Sequence, residues 1–140
     1  MKTTPYLNFD GKSEEAFTFY AQAIGAQITA MMRFGETPAA EHVPPEAQQQ
    51  VMHACLQYGD DILLMASDTG CIPDQGFRGH EGFSIALAPR TVAEAERVFN
   101  ALSAGGRVTM ALEKTFWAER FGSLVDRFGV SWLINCEKDG

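Results

Sequence analysis

The side chains with the greatest chemical potential fall into two groups. His53 stands in an apolar run, Val51–Tyr58, where strand alternation puts His53, Cys55 and Gln57 on one face. An imidazole beside a thiol can serve acid–base or nucleophilic chemistry. The thiol would need a neighbouring cation to lower its pKa; otherwise Cys55 is a buried packing residue. The second group, Lys114, Phe116, Trp117 and Phe121, sets a cation among three rings within eight residues. Such rings line a pocket for a flat or apolar ligand, with Lys114 meeting an anionic group. The competing reading is core or interface; it is favoured for Phe116 and weighs equally for Trp117. Glu113, Glu119 and Asp126 show no pairing by spacing and read as solvated or turn residues. His42 and His80 lie in loops, and neither Cys71 nor Cys136 draws a role.

The elements that must position these groups repeat. Pro5–Phe9 is a short strand, and Asp10–Gly11–Lys12 turns it into a helix with Ser13 as expected N-cap and Glu14 and Glu15 in the first turn. Phe17, Tyr20 and Ile24 form its buried stripe, and Gly25 ends it. Gln27–Arg33 is a strand, 34–50 an irregular proline-bearing loop, and Val51–Tyr58 with Ile62–Ala66 a hairpin across Gly59. The pattern then restarts. Phe83–Leu87 is a strand, Thr91 and Glu94 make a capping box, and Ala95, Val98 and Leu102 form the second helical stripe. Val108–Leu112, Phe121–Asp126 and Val130–Asn135 close the copy, the last two joined through Gly129. Trp132 and Ile134 face oppositely to Ser131, Leu133 and Asn135, and pack as core against the helix.

Each half is therefore β-α-β-β-β. The expected fold is α+β, two modules in tandem building a curved mixed sheet with a cleft. Their bounds are 1–68 and 81–137, with 67–80 as linker, within one domain of 140 residues. A net charge of −7 opposes binding to nucleic acid or an anionic membrane surface. No apolar run approaches the ~20 residues of a membrane span, and MKTTPYLNF lacks a signal-peptide core. Three cysteines without a CxxC fit reduced thiols, hence an expected cytoplasmic location.

Several motifs carry a resemblance: Tyr6-Leu7-Asn8-Phe9-Asp10-Gly11, Phe19-Tyr20, His53-Ala54, Lys114-Thr115-Phe116-Trp117, Phe121-Gly122 and Phe128-Gly129-Val130-Ser131-Trp132-Leu133-Ile134-Asn135. With them the chain resembles the vicinal oxygen chelate superfamily (glyoxalase I, bleomycin-resistance proteins, extradiol dioxygenases). It is most similar to the PhnB-like branch, also labelled 3-demethylubiquinone-9 3-methyltransferase. The resemblance implies paired modules, a homodimer, a small organic ligand and, in the enzymes, a divalent metal. Registered on metal-binding members, the four ligand positions fall on Pro5, His53, Ser84 and Leu133, and only His53 ligates well. The expectation is a ligand-binding protein without that metal or any other cofactor, its ligand met by His53, Cys55, Ser84, Lys114, Trp117 and Phe121. The alternative is a metal-dependent lyase, isomerase or dioxygenase using His53. Methyl transfer ranks last: the first turn, Asp10-Gly11-Lys12, is not the glycine-rich turn of a doubly wound nucleotide-binding sheet.

Overall fold

The computed structural model describes residues 1–69 and 77–138, so Cys71 and most of the expected linker lie outside the described residues. Two units, Met1–Arg78 and Gly79–Gly140, each hold one helix on one four-stranded mixed sheet. This is the α+β tandem of β-α-β-β-β modules.

In the first unit, strand β1 (Tyr6–Phe9) leads into helix α1 (Ser13–Ile24), followed by β2 (Gln27–Arg33), β3 (Val51–Tyr58) and β4 (Asp61–Asp68). The sheet order is β1-β4-β3-β2, with β1 parallel to β4 and the other pairs antiparallel. A twelve-residue helix is long enough to carry the chain from one sheet edge to the other, and its apolar stripe seals the face it crosses. Phe17, Tyr20 and Ile24 are buried as the spacing requires, with Leu7, Phe9, Ala54, Leu56, Leu64 and Ala66 from the strands.

The start of α1 departs from expectation. Ser13 is the first helical residue, Lys12 holds the cap position without a side-chain bond, and the Ser13 hydroxyl is buried with no partner among the described residues. The cap comes from the end of β4. Asp68, 2% exposed, accepts the Ser13 N–H on Oδ1 (3.0 Å) and the Val51 N–H on Oδ2 (2.9 Å). A carboxylate placed there satisfies an orphan helix amide and meets the positive end of the helix dipole. Residues 34–50 are also more structured than their prolines suggest. They form three short 3-10 turns, with Phe34 and Ala47 buried and the Gln48 Nε2 donating to the Ala40 carbonyl at 2.9 Å.

In the second unit, β5 (Ile85–Leu87), α2 (Val92–Ser103), β6 (Arg107–Glu113), β7 (Ala118–Val125) and β8 (Ser131–Glu137) repeat the plan, with order β5-β8-β7-β6. Thr91 caps α2 by accepting the Glu94 N–H on Oγ1 (3.1 Å), while the Glu94 carboxylate accepts from the Arg90 N–H (3.3 Å). The box therefore closes one residue earlier than its pattern specifies. Ala95, Val98 and Leu102 are buried as expected, and Phe99 joins them. Gly122 of β7 lies beneath the Phe99 side chain of α2. A Cβ there would stand 2.9 Å from the Phe99 ring and from the Leu112 Cα.

The β7–β8 turn is built around one carboxylate. Asp126, 3% exposed, accepts the Phe128 and Val130 N–H groups on Oδ1 (2.8 and 3.1 Å) and the Trp132 indole N–H on Oδ2 (2.9 Å). Gly129, at φ 84°, supplies the left-handed step the turn needs. The sequence reading of Asp126 as a turn residue stands; its solvation does not. Trp132, 1% exposed, is core, as is Ile134.

Candidate functional site

In β3, Ala54 and Leu56 are buried on the helix side, so His53, Cys55 and Gln57 belong to the opposite face. Registers name their neighbours. Cys55 opposes Met65 and Ala30, Met65 opposes Tyr6, and His53 opposes Met32. Tyr6 reaches over β4 to place its hydroxyl 3.0 Å from the His53 Nδ1, with ring centroids 5.7 Å apart. On the same face the Ser67 hydroxyl donates to the Asn8 Oδ1 at 3.4 Å. The partner of His53 is thus a phenol, and no hydrogen bond joins it to the buried Cys55 among the described residues. Tyr6 is the member the sequence reading missed. Its alternation with buried Leu7 and Phe9 was the available signal, since it sends Tyr6 to the face of His53.

When the Tyr6 O–H donates to Nδ1, Nε2 carries the ring proton and offers a donor; in the other tautomer Nε2 is a base. Either way the pair can fix a polar group and pass a proton. Its surroundings are soft and apolar: Met32, Met65, Cys55 and Ala30.

On the second unit, Trp132, Ile134 and Cys136 of β8 are buried on the helix side, so Ser131, Leu133 and Asn135 line the other face. Ser123 opposes Leu133 and Phe121 opposes Asn135. Ser84, just before β5, has its hydroxyl 2.7 Å from that of Ser131, and the Thr109 and Ser123 hydroxyls lie 2.6 Å apart. The aromatic group stands at the β6–β7 end. The Thr115 N–H donates to the Ala118 carbonyl, and the Ala118 N–H to the Thr115 Oγ1, both at 3.0 Å, closing a tight turn with Phe116 and Trp117 at its tip. Phe116 meets Trp117 edge-on at 4.8 Å, and Trp117 meets Phe121 edge-on at 5.3 Å. Phe116 is 87% exposed and Trp117 49%, which corrects the core reading of Phe116. The Lys114 Nζ lies 3.9 Å from a Glu119 carboxylate oxygen across exposed surface, a weak pairing that leaves the cation accessible. The structure thus groups Lys114, Trp117 and Phe121 on the second unit and His53 with Cys55 on the first.

The residues do not fit a metal of the glyoxalase type. Pro5 and Leu133 have no donor, Ser84 is bonded to Ser131, and His53 is bonded through Nδ1 to Tyr6. Nor are the four positions equivalent across the repeat. The β1–β4 and β5–β8 registers put Ser67, not His53, in the place of Leu133. No group of three or more His, Cys, Asp or Glu able to hold a metal occurs among the described residues. No helix among them is long and apolar enough to cross a membrane.

His80 has a displaced pKa. Burial pushes its imidazole below the ordinary histidine range, and the Asp126 carboxylate partly opposes that. His80 meets Phe83 edge-on at 6.4 Å.

Known proteins share this fold. A protein of Pseudomonas aeruginosa, PA1353, superposes with a TM-score of 0.87 at 45% identity, covering 99% of each chain. The PhnB protein of Bacillus cereus superposes with a TM-score of 0.75 at 28% identity, over 97% of this chain and 99% of that one. A glyoxalase-related enzyme of Fulvimarina pelagi shares the fold at a TM-score of 0.64 and 13% identity, over 98% and 89%. Residues 1–135 match the family model described as 3-demethylubiquinone-9 3-methyltransferase. The chain therefore belongs to that PhnB-like family of the glyoxalase fold.

Proposed function

We propose that this chain is a cytoplasmic homodimer that binds a small flat organic molecule, with Trp117 as its principal contact. One observation carries the reading. Phe116, Trp117 and Phe121 form an edge-to-face series ordered by a hydrogen-bonded turn, with Phe121 half-buried at its base and Phe116 and Trp117 left exposed at its tip. Rings that served only the core would be covered; these are preorganised and exposed, which lowers the ordering cost of stacking a ligand. Lys114 supplies a cation for an acidic substituent, and the Ser84–Ser131 hydroxyls offer further polar contacts. A free thiol at Cys55 agrees with a reducing compartment.

The test is a thermal-shift screen over small acids, quinones, phosphonates and aromatic antibiotics, repeated with Trp117→Leu. A ligand face buried on one ring adds about 1 kcal/mol beyond its area term, so loss of Trp117 weakens a hit about five- to tenfold. Hits that bind both proteins equally contradict the reading.

A second reading rests on the Tyr6–His53 hydrogen bond: a proton-transfer enzyme whose imidazole acts on a ligand of the first unit. It separates from binding alone by turnover that His53→Ala abolishes and Tyr6→Phe reduces. Because the donor set is poor, we predict that protein purified without chelators carries no stoichiometric transition metal by elemental analysis. One metal per chain, lost in His53→Ala, would revive the metal-dependent alternative. The family label names methyl transfer, but the element order here is not that of a doubly wound nucleotide-binding sheet.

A further inference from the structure

Asn135 is half-buried on the face of β8 turned away from α2, directly opposite Phe121. Opposed residues of an antiparallel pair hold their Cβ atoms about 5 Å apart, so the amide adjoins the aromatic series that continues through Trp117. Its Oδ1 is buried without a hydrogen-bond partner, and its side chain bonds to nothing among the described residues. The neighbouring polar groups on this face behave otherwise, since Ser84 satisfies Ser131 and Thr109 satisfies Ser123. An asparagine can make four hydrogen bonds, and leaving a buried acceptor unmade costs stability. An apolar residue would serve folding better at this position. Moreover, the unbonded end gives the protein no means of choosing between the two amide orientations.

We infer that Asn135 is the specificity-determining amide of the Trp117 site, reading the edge of a flat ligand that carries a donor and an acceptor side by side. This rests on the binding reading above. An aromatic ring bearing a lactam has that edge, and a primary amide matches it with two parallel hydrogen bonds, as asparagine matches the adenine edge in nucleic acids. The free choice of amide orientation lets the ligand set which end accepts. The alanine at position 86, opposite Leu133 on β5, leaves the strand beside this face without bulk.

The experiment compares three bicyclic probes of equal outline by titration of tryptophan fluorescence: naphthalene, quinoline with an acceptor only, and 2-quinolone with adjacent donor and acceptor. The native protein binds 2-quinolone about three- to tenfold more tightly than naphthalene, the worth of a net hydrogen bond or more, with quinoline between. In Asn135→Leu the three affinities converge on that of naphthalene, and the melting temperature holds or rises. Asn135→Asp, which keeps the size and loses the donor, weakens 2-quinolone and leaves naphthalene unchanged. A preference for 2-quinolone that survives in both variants overturns the inference while leaving the Trp117 site standing. A melting temperature several degrees lower in both variants overturns it too, as a structural role would. If no probe perturbs the native fluorescence, the binding reading falls and the inference with it.

Discussion

Single carboxylates do much of the local ordering. Asp68 stitches the start of α1 to the start of β3, and Asp126 ties its own turn to the indole of Trp132. Neither network was readable from spacing. A helix cap supplied by a side chain 55 residues away leaves no local pattern, so Ser13 drew the assignment by proximity. By contrast Thr91 and Glu94 lie within one turn of each other and were legible. His80 gives a prediction at this scale. Its imidazole resists protonation in the folded chain, because burial outweighs the attraction of Asp126. The unfolded chain takes up that proton near pH 6.5. The stabilising contribution is therefore complete above that pH and is lost as pH falls toward the lower folded pKa. We predict that the drop in melting temperature between pH 7.5 and 5.5 becomes smaller in His80→Gln. An unchanged drop would place the sensitivity outside His80.

Elements were far more legible than contacts. Hydrophobic stripes at helical spacing found both helices, and alternation found the strands, because each element has one face on a core and the period of that face is set by backbone geometry. The same alternation put His53 and Cys55 together and Trp132 with Ile134 on the helix side. It failed at the β6–β7 turn, where Phe116 looked like core by residue type. Tight turns expose whatever occupies their tips, and an aromatic there gives no periodic warning. The closeness of α2 to β7 was equally invisible, since Gly122 reads as a strand residue with no stated reason. The reason is steric, and it yields a prediction. Gly122→Ala forces a methyl to 2.9 Å from Phe99 and the β6 backbone, and overpacking of this kind costs about 1–3 kcal/mol. Denaturant unfolding measures it, and Phe99→Leu in the same chain should recover part of the loss. A neutral Gly122→Ala would mean the helix shifts freely on the sheet.

At the scale of the molecule, the tandem of modules followed from a repeat in the chain, since two copies of one pattern must fold by the same rules. The sites were less legible because they arise where strands distant in sequence become neighbours, as Tyr6 and His53 do across β4. Assembly is the next level. Among the described residues β6 pairs only with β7, and it is exposed along nearly its whole length, with Val108 at 50% and Met110 at 53%. An open edge strand with apolar side chains invites pairing, and closed two-fold contacts are the commonest way to cover one. We predict a dimer at micromolar concentration by light scattering, which Met110→Lys shifts toward monomer. A native protein of monomer mass would remove that interface.

The central claim is a ligand site at Trp117, and the two tryptophans provide its most direct measurement. Trp132 is 1% exposed with its indole N–H held by Asp126, so it serves as an internal control for the half-exposed Trp117. Nitrogen-15 spectra of the indole N–H groups, recorded during titration with 2-quinolone, separate the two rings. Binding at Trp117 gives a saturable shift of its resonance while that of Trp132 stays in place. A Trp117 resonance that does not move at saturating probe, or two resonances that move together, would contradict it.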